Sequence, residues 1–380
     1  MEELRSKKII HIFNELKFSG AEMMYAQAGR FFENKGYKLV AISTAKDVGE
    51  FAPNLKKNNY SIKHFPLKCL KLNNVLQFVL YFYNFYKYLK KENASVLHIH
   101  KSKHFWFFSL CGFLAGYRVI RTVHSVFKNR KVTWLKAVLE RYSARKLFGL
   151  TFQSIGQSVF ENERDYYKNS TVKVNNWFDE SKFYPLTDNS EKNKIRAELN
   201  IPIDCFVVVS VGGCCDMKNH HHIIKALANL PNSIDIFYLH LGRGETECKE
   251  KELTFKCGLE SKVRFVGNTT SVRKYLVASD LYLMPSDFEG LGNSALEAMA
   301  CGLPSILYNV VGLRDLIEDD DLGLLINPNI EGLINSIIKL YKSPTLREEM
   351  KIKAITKANK EYSLEHGVES ILDLYKLSDK

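Results

Sequence analysis

Two carboxylates, Glu289 and Glu297, stand eight residues apart in Asp287-Phe-Glu-Gly-Leu-Gly-Asn-Ser-Ala-Leu-Glu-Ala-Met-Ala-Cys-Gly302. Between them lie a glycine turn (Gly290, Leu291, Gly292) and the polar start of a helix (Asn293, Ser294). Strand-like runs flank the segment, Asp280-Leu-Tyr-Leu-Met284 before it and Leu303-Pro-Ser-Ile-Leu307 after it. A glycine turn that opens a helix between parallel strands presents bare backbone N–H groups at a positive helix end, which suits a phosphate. Ionised carboxylates only accept hydrogen bonds, so those at 289 and 297 suit hydroxyl groups. Phosphate plus several hydroxyls describes a nucleotide sugar. A competing reading exists for Glu297, because Ser294-Ala-Leu-Glu297 is also a capping box.

Other reactive residue types fall into weaker patterns. His124 ends the strand-like run Arg118-Val-Ile-Arg-Thr-Val123, and parallel sheets place their sites at carboxyl ends of strands. His98 and His100 end another strand and are left out of the site. His220, His221 and His222 begin a helix; consecutive helical residues point about 100° apart and do not converge on one ion, so they read as solvated or capping histidines. Asp319-Asp320-Asp321 reads as a solvated acidic turn rather than a metal site. The cysteines show no C-x-x-C pair or regular spacing and read as reduced thiols of a cytoplasmic protein.

Strand-like and helix-like patterns alternate along all 380 residues, the mark of parallel α/β layers, and the length suits two domains. Strands are expected at 8–13, 38–43, 61–66, 95–100, 118–123, 148–153 and 171–175, with helices at 74–91, 104–115, 132–146 and 156–168. The stretch from Trp177 to Ser190 lacks periodicity and is read as the linker. The pattern restarts at Cys205-Phe-Val-Val-Val-Ser-Val211, with strands near 235–241, 263–267, 281–284, 303–307 and 322–326. The N-terminus does not resemble a cleavable signal peptide, and no uncharged apolar run is long enough to span a membrane. Charge is uneven: residues 1–185 hold 31 Lys+Arg against 14 Asp+Glu, and residues 51–146 hold 19 basic side chains against Glu92 and Glu140. The first half therefore wants an anionic partner. No helix-turn-helix, zinc or RNP pattern accompanies that charge, so an anionic membrane surface is preferred to nucleic acid. Lys128-Asn-Arg-Lys131 with Trp134 and Leu135 is the best candidate patch.

The second half resembles the nucleotide-sugar-binding domain of the retaining glycosyltransferases of family GT4, which have the GT-B fold. The resemblance covers nearly the whole chain and is strongest from 203 to 326. It rests on the E-x7-E pair at Glu289 and Glu297, then Gly302-Leu-Pro304 and the turn Val311-Gly312-Leu-Arg-Asp-Leu-Ile317. Upstream landmarks are Val263-Arg-Phe-Val-Gly267 and Ala278-Ser-Asp280, and Asn176-Trp-Phe-Asp179 with Phe183 and Pro185 resembles the segment before the family's linker. Two positions depart. The family's V-G-R-x-x-x-x-K-N reads Val211-Gly-Gly213-Cys-Cys-Asp-Met-Lys218-Asn219, with glycine for the phosphate-binding arginine; Arg243 is the candidate substitute. The first loop has Ser19-Gly20 where the family often has two glycines.

The resemblance implies an α/β GT-B protein, two Rossmann-like parallel-sheet domains facing a central cleft. Residues 1–183 would form an acceptor-binding domain, with a helix in 363–380 packing back onto it, and 184–362 the donor domain. It implies a metal-independent, retaining transferase with no cofactor beyond the nucleoside-diphosphate sugar. Catalytic roles fall on His124, Glu289 and Lys218. Donor binding falls on Gly20, Gly213, Lys218, Arg243, Thr269, Glu289, Gly290, Leu291, Gly292, Asn293, Ser294 and Glu297, with Glu289 at the sugar and Glu297 at the ribose. By analogy and charge, the expected acceptor is a glycan or lipid-linked glycan of a bacterial envelope, met by a peripheral protein on the inner face of the cytoplasmic membrane. A soluble acceptor and a non-enzymatic anion-binding protein are the alternatives.

Overall fold

The structure, a computed structural model, describes residues 6–67, 75–126, 131–317 and 321–376. It divides into two units, Met1–Trp177 with Leu364–Lys380, and Phe178–Ser363. The chain changes unit at the start of the aperiodic stretch. That stretch is not a free tether: Phe178, Asp179 and Phe183 are buried, and the Phe178 N–H donates to the Tyr362 carbonyl at 2.9 Å.

Among the described residues of the first unit, seven parallel strands form one sheet. They are β1 (Ser6–Phe13), β2 (Lys38–Ser43), β3 (Tyr60–His64), β4 (Ala94–Ile99), β5 (Arg118–Val123), β6 (Thr151–Ser154) and β7 (Val172–Lys173), in the order β3-β2-β1-β4-β5-β6-β7. Ile9, Ile10 and Ile12 of β1 are fully buried, as expected of a central strand covered on both faces. The last helix, Leu364–Lys376, places Val368, Ile371 and Leu374 in the same core as Ile9, Tyr25 and Trp177. Two expected elements differ. Gly149 takes φ +60° after the helix Lys131–Phe148, so β6 begins later than expected. The helix expected over 156–168 is α-helical only to Glu161 and then widens into a π turn, where buried Glu163 meets Arg141 at 2.8 and 2.9 Å.

Among its described residues the second unit holds six parallel strands, β8 (Phe206–Val211), β9 (Ile236–Leu241), β10 (Val263–Gly267), β11 (Leu281–Met284), β12 (Ser305–Tyr308) and β13 (Leu324–Ile326), in the order β10-β9-β8-β11-β12-β13. Asp280 ties the sheet to the helix Asn189–Glu198: it accepts from the Val207 N–H at 2.7 Å and pairs with Arg196 at 2.7 Å and Lys192 at 2.6 Å. Its landmark position thus has a scaffold role. Each sheet starts in its middle, grows one way, then crosses back and grows the other. The resulting switch points, β1/β4 and β8/β11, are where loops splay apart and open α/β sheets bind ligands.

Candidate functional site

Two loops leave the β8/β11 switch point, residues 212–219 after β8 and 285–292 after β11. They are joined several times. The Asn219 side-chain amide donates to Asp287 at 2.6 Å and to the Pro285 carbonyl at 3.1 Å, and the Asp287 N–H donates to the Met217 carbonyl at 2.9 Å. Asn219 holds φ 51°, a left-handed conformation that asparagine tolerates better than most residues. The Lys218 ammonium forms an ion pair with Glu289, and both side chains are largely shielded, at 18% and 13% exposure. The lysine stem runs beside Gly212, where an added Cβ would stand 3.5 Å from its Cε.

The helix Asn293–Ala300 begins behind this pair, with Gly292 as its cap at φ +83°. The capping-box reading of Ser294 and Glu297 fails here. The Ser294 hydroxyl donates to the Val211 carbonyl at 2.9 Å and accepts from the Tyr282 hydroxyl at 2.9 Å, which locks the helix start to the end of β8. Glu297 is half-buried, and its carboxyl makes no hydrogen bond or ion pair among the described residues. Burial pushes its carboxyl up to about 8, against a smaller pull from Lys182. The two glutamates therefore differ: Glu289 pairs with a lysine, while the Glu297 carboxyl has no such partner among the described residues. The turn after β12 presses against the first of them. Gly312 sits at φ +88°, and a Cβ there would come within 2.3 Å of the Glu289 carbonyl oxygen.

Other expected donor residues spread along the same edge. Gly213 is exposed beside the Arg243 backbone, with 3.3 Å from a built Cβ to the Arg243 carbonyl. The Arg243 side chain is exposed and lies over Gly267 at the end of β10, without a hydrogen bond or ion pair among the described residues. It does not join Lys218 and Glu289. The Thr269 hydroxyl accepts from the Ser271 N–H at 3.1 Å, and Leu291 is buried. Asn219 and Asp287, which brace the two loops, were not singled out in the sequence; their only signal was adjacency to Lys218 and Glu289.

Residues 191–357 match the family model described as "Glycosyl transferases group 1". The second unit carries a group 1 glycosyltransferase domain. The chain is 32% identical over 156 residues to the lipopolysaccharide core biosynthesis glycosyltransferase LpsE of Rhizobium meliloti, covering 41% of this chain and 45% of that one. Along nearly the full length, 99% of this chain and 98% of the relative, it is 27% identical to an Escherichia coli protein named UDP-Gal:alpha-D-GlcNAc-diphosphoundecaprenol alpha-1,3-galactosyltransferase. The crystal structure of Anabaena HepE in complex with UDP superposes with a TM-score of 0.84 at 19% identity, over 97% of this chain and 99% of that one. The fold is GT-B, two parallel-sheet α/β domains.

In contrast to the group 1 domain, the first unit supplies Gly20 and His124. Gly20 is exposed and opens the helix Gly20–Asn34 just past β1. His124 follows β5, and burial, then Arg121, pushes its imidazole down to about 4, so it is neutral near pH 7. It belongs to a chain of rings: His11 Nδ1 lies 2.9 Å from His100 Nε2, and His100 Nδ1 lies 3.2 Å from His124 Nε2. His100, set aside in the sequence, thus touches His124. His98 has both nitrogens engaged, with Tyr375 at 2.7 Å and Thr122 at 2.6 Å.

Three further expectations need revision or lie elsewhere. His220 is neither solvated nor a cap: it is buried, with Nδ1 3.3 Å from Glu250. His222 is held by the Tyr308 hydroxyl at 2.8 Å. Lys128, Asn129, Arg130, Asp319 and Asp320 lie outside the described residues, while Asp321 pairs with Lys353.

Proposed function

We propose that the chain is a retaining glycosyltransferase of the GT4 type, moving a sugar from a nucleoside-diphosphate donor to a hydroxyl of a glycan or lipid-linked glycan in cell-envelope biosynthesis. The observation that carries this is the Lys218–Glu289 pair at the β8/β11 switch point, in front of the helix at 293 and beside the unpaired Glu297. A diphosphate there meets the helix N-terminus and Lys218, which together stabilise the charge that builds on the leaving group, so the chemistry is metal-independent. Arg243 approaches from the β10 side in place of the arginine absent at 213. Glu289 accepts from the sugar hydroxyls and Glu297 from the ribose. Retention without an enzymic nucleophile follows from attack on the face the diphosphate leaves, with a phosphate oxygen taking the acceptor proton.

Relatives named for lipopolysaccharide core and for a diphosphoundecaprenol acceptor support the envelope reading. The basic first unit is the acceptor side. It has a cavity of about 800 Å³ lined by Lys103, Arg121 and Lys136 together with Phe105 and Trp106. No helix among the described residues is long and apolar enough to cross a membrane. Peripheral contact is instead offered by exposed Leu76, Val79, Leu80 and Tyr83 on the helix Val75–Glu92, and by Leu135, Leu139 and Tyr142 on Lys131–Phe148. The deciding experiment measures nucleoside-diphosphate release from a panel of nucleotide sugars, with and without polyprenyl-diphosphate glycan acceptors. Acceptor-stimulated release from at least one donor is expected. Absence of both turnover and ligand-induced stabilisation across the panel would remove the proposal.

A further inference from the structure

Behind the 212–219 loop, on the β9 side, four buried side chains converge from four elements. Cys214 comes from the loop after β8, His220 from the first residue of the helix His220–Ala228, His240 from β9, and Glu250 from the first turn of the helix Glu247–Lys256. All four are 3% exposed or less. One ligand atom from each lies within 4.8 Å of the other three. Cys214 Sγ is 3.1 Å from His240 Nε2, and His220 Nδ1 is 3.3 Å from Glu250 Oε1. Tetrahedral zinc, with bonds of about 2.0–2.3 Å, sets its ligand atoms roughly 3.3–3.8 Å apart. Two edges of such a tetrahedron are therefore nearly formed already.

We propose that Cys214, His220, His240 and Glu250 form a structural zinc site. The donor set is one sulfur, two imidazoles and one carboxylate, a mixture that favours zinc over hard cations such as magnesium or calcium. Four protein ligands leave no open position, which marks the site as structural rather than catalytic. The surroundings fit in two further ways. Glu250 Oε2 is buried with no hydrogen-bond partner, an arrangement that is costly for an acceptor-only atom and that a cation relieves. The ligands are also oriented from outside: the Ser210 hydroxyl lies 3.0 Å from His240 Nδ1 and 2.6 Å from the Tyr238 hydroxyl, and Thr246 donates to Glu250 Oε1 at 2.6 Å. Such partners fix which ring nitrogen faces the metal. On binding, the Cys214 thiol proton leaves to solvent and the thiolate takes its place on zinc.

The site pins the loops on which the donor reading depends. The Cys214 N–H donates to the Arg243 carbonyl at 3.1 Å, and the Thr246 N–H donates to the Cys214 carbonyl at 3.2 Å. Gly244 makes this approach possible, since a Cβ there would stand 2.2 Å from the Cys214 carbonyl oxygen. Zinc would thus fasten the Lys218 loop to the Arg243 loop from behind. The site itself stands whether or not a nucleotide sugar is the ligand.

The test is metal analysis of the full chain, expressed with zinc in the medium and purified with a reductant but no chelator. One zinc per chain is expected to survive gel filtration. Chelator-stripped protein titrated with Co²⁺ should develop a thiolate-to-cobalt charge-transfer band and intense tetrahedral d–d bands. Cys214→Ser should lose the charge-transfer band and the zinc, while the neighbouring Cys215→Ser keeps both. Wild-type zinc no higher than in Cys214→Ser, or a cobalt spectrum without the thiolate band, would overturn the site. Should Cys214→Ser fail to fold, the wild-type cobalt spectrum alone decides.

Discussion

Lys218 and Glu289 form a shielded ion pair across the β8/β11 switch point, joining a cation suited to phosphate with a carboxylate suited to sugar hydroxyls. The pairing means that neither residue waits as an isolated charge before ligand arrives. It also separates their expected effects. With UDP as the first nucleoside-diphosphate probe, Lys218→Ala should weaken binding about 10- to 100-fold, the size of one lost charge-assisted hydrogen bond. Glu289→Gln should leave UDP binding close to wild type but reduce kcat/KM for the intact nucleotide sugar. Calorimetry with UDP and steady-state kinetics check this; equal loss of UDP affinity in both variants would contradict the separate roles.

Arg243 is the available cation on the β10 side, exposed and unpaired among the described residues. Arg243→Ala should lower donor affinity by about tenfold while leaving the melting temperature unchanged, in line with the worth of a hydrogen bond to a charged group. Donor affinity equal to wild type would remove Arg243 from the phosphate site and leave Lys218 with the backbone amides.

Gly312 tests how tightly the glutamate loop is held. Its φ of +88° and the 2.3 Å approach of a built Cβ to the Glu289 carbonyl both exclude a side chain. Gly312→Ala should cost about 1–3 kcal/mol of stability through backbone strain. Urea unfolding should show that loss, with kcat reduced as well because the displaced backbone carries Glu289. An unchanged midpoint would show that the turn relaxes freely.

The sheets were legible in the sequence because buried parallel strands read as continuous apolar runs, as in Phe206-Val-Val-Val-Ser-Val211. Lys218, Glu289 and Glu297 could be singled out because one loop–helix segment and one lysine carry most of the donor pattern that the resemblance rests on. Their pairing was not, since it depends on two loops that are far apart in the chain and adjacent only in space. His220 was misread for a related reason. A run of three histidines suggested a single shared fate, but only the first faces inward, toward Cys214, His240 and Glu250. The Ser294 capping box was a false local signal: its hydroxyl serves the neighbouring strand at Val211 instead.

Glu297 gives a pH signature. Its folded carboxyl titrates near 8, above the ordinary value of 4.5, because burial favours the neutral form. A raised folded pKa stabilises the protein fully below about 4.5, and that contribution is lost as pH rises through about 8. Ribose hydroxyls that donate to the carboxylate favour the ionised form, so donor binding should release a proton in that window. Calorimetry with UDP at pH 7 in two buffers of different ionisation enthalpy should detect it. Glu297→Gln should abolish the release and flatten the decline in melting temperature between pH 5 and about 8. Binding without proton release in the wild type would contradict the ribose role.

The first unit's charge and its exposed apolar side chains make a separate prediction. Leu135, Leu139 and Tyr142 recur at helical spacing along Lys131–Phe148, with Lys136 and Lys146 exposed on the same helix. Each Lys or Arg near an anionic bilayer contributes on the order of 1 kcal/mol, and salt screens that attraction. The full chain should therefore float with phosphatidylglycerol vesicles at low salt, detach at high salt and ignore phosphatidylcholine vesicles. The double substitution Leu135→Glu and Leu139→Glu should reduce flotation without changing any stabilisation by a nucleoside diphosphate, because those leucines lie in the first unit and the Lys218–Glu289 pair in the second. Salt-insensitive behaviour, or no flotation at all, would direct the basic excess to the acceptor alone.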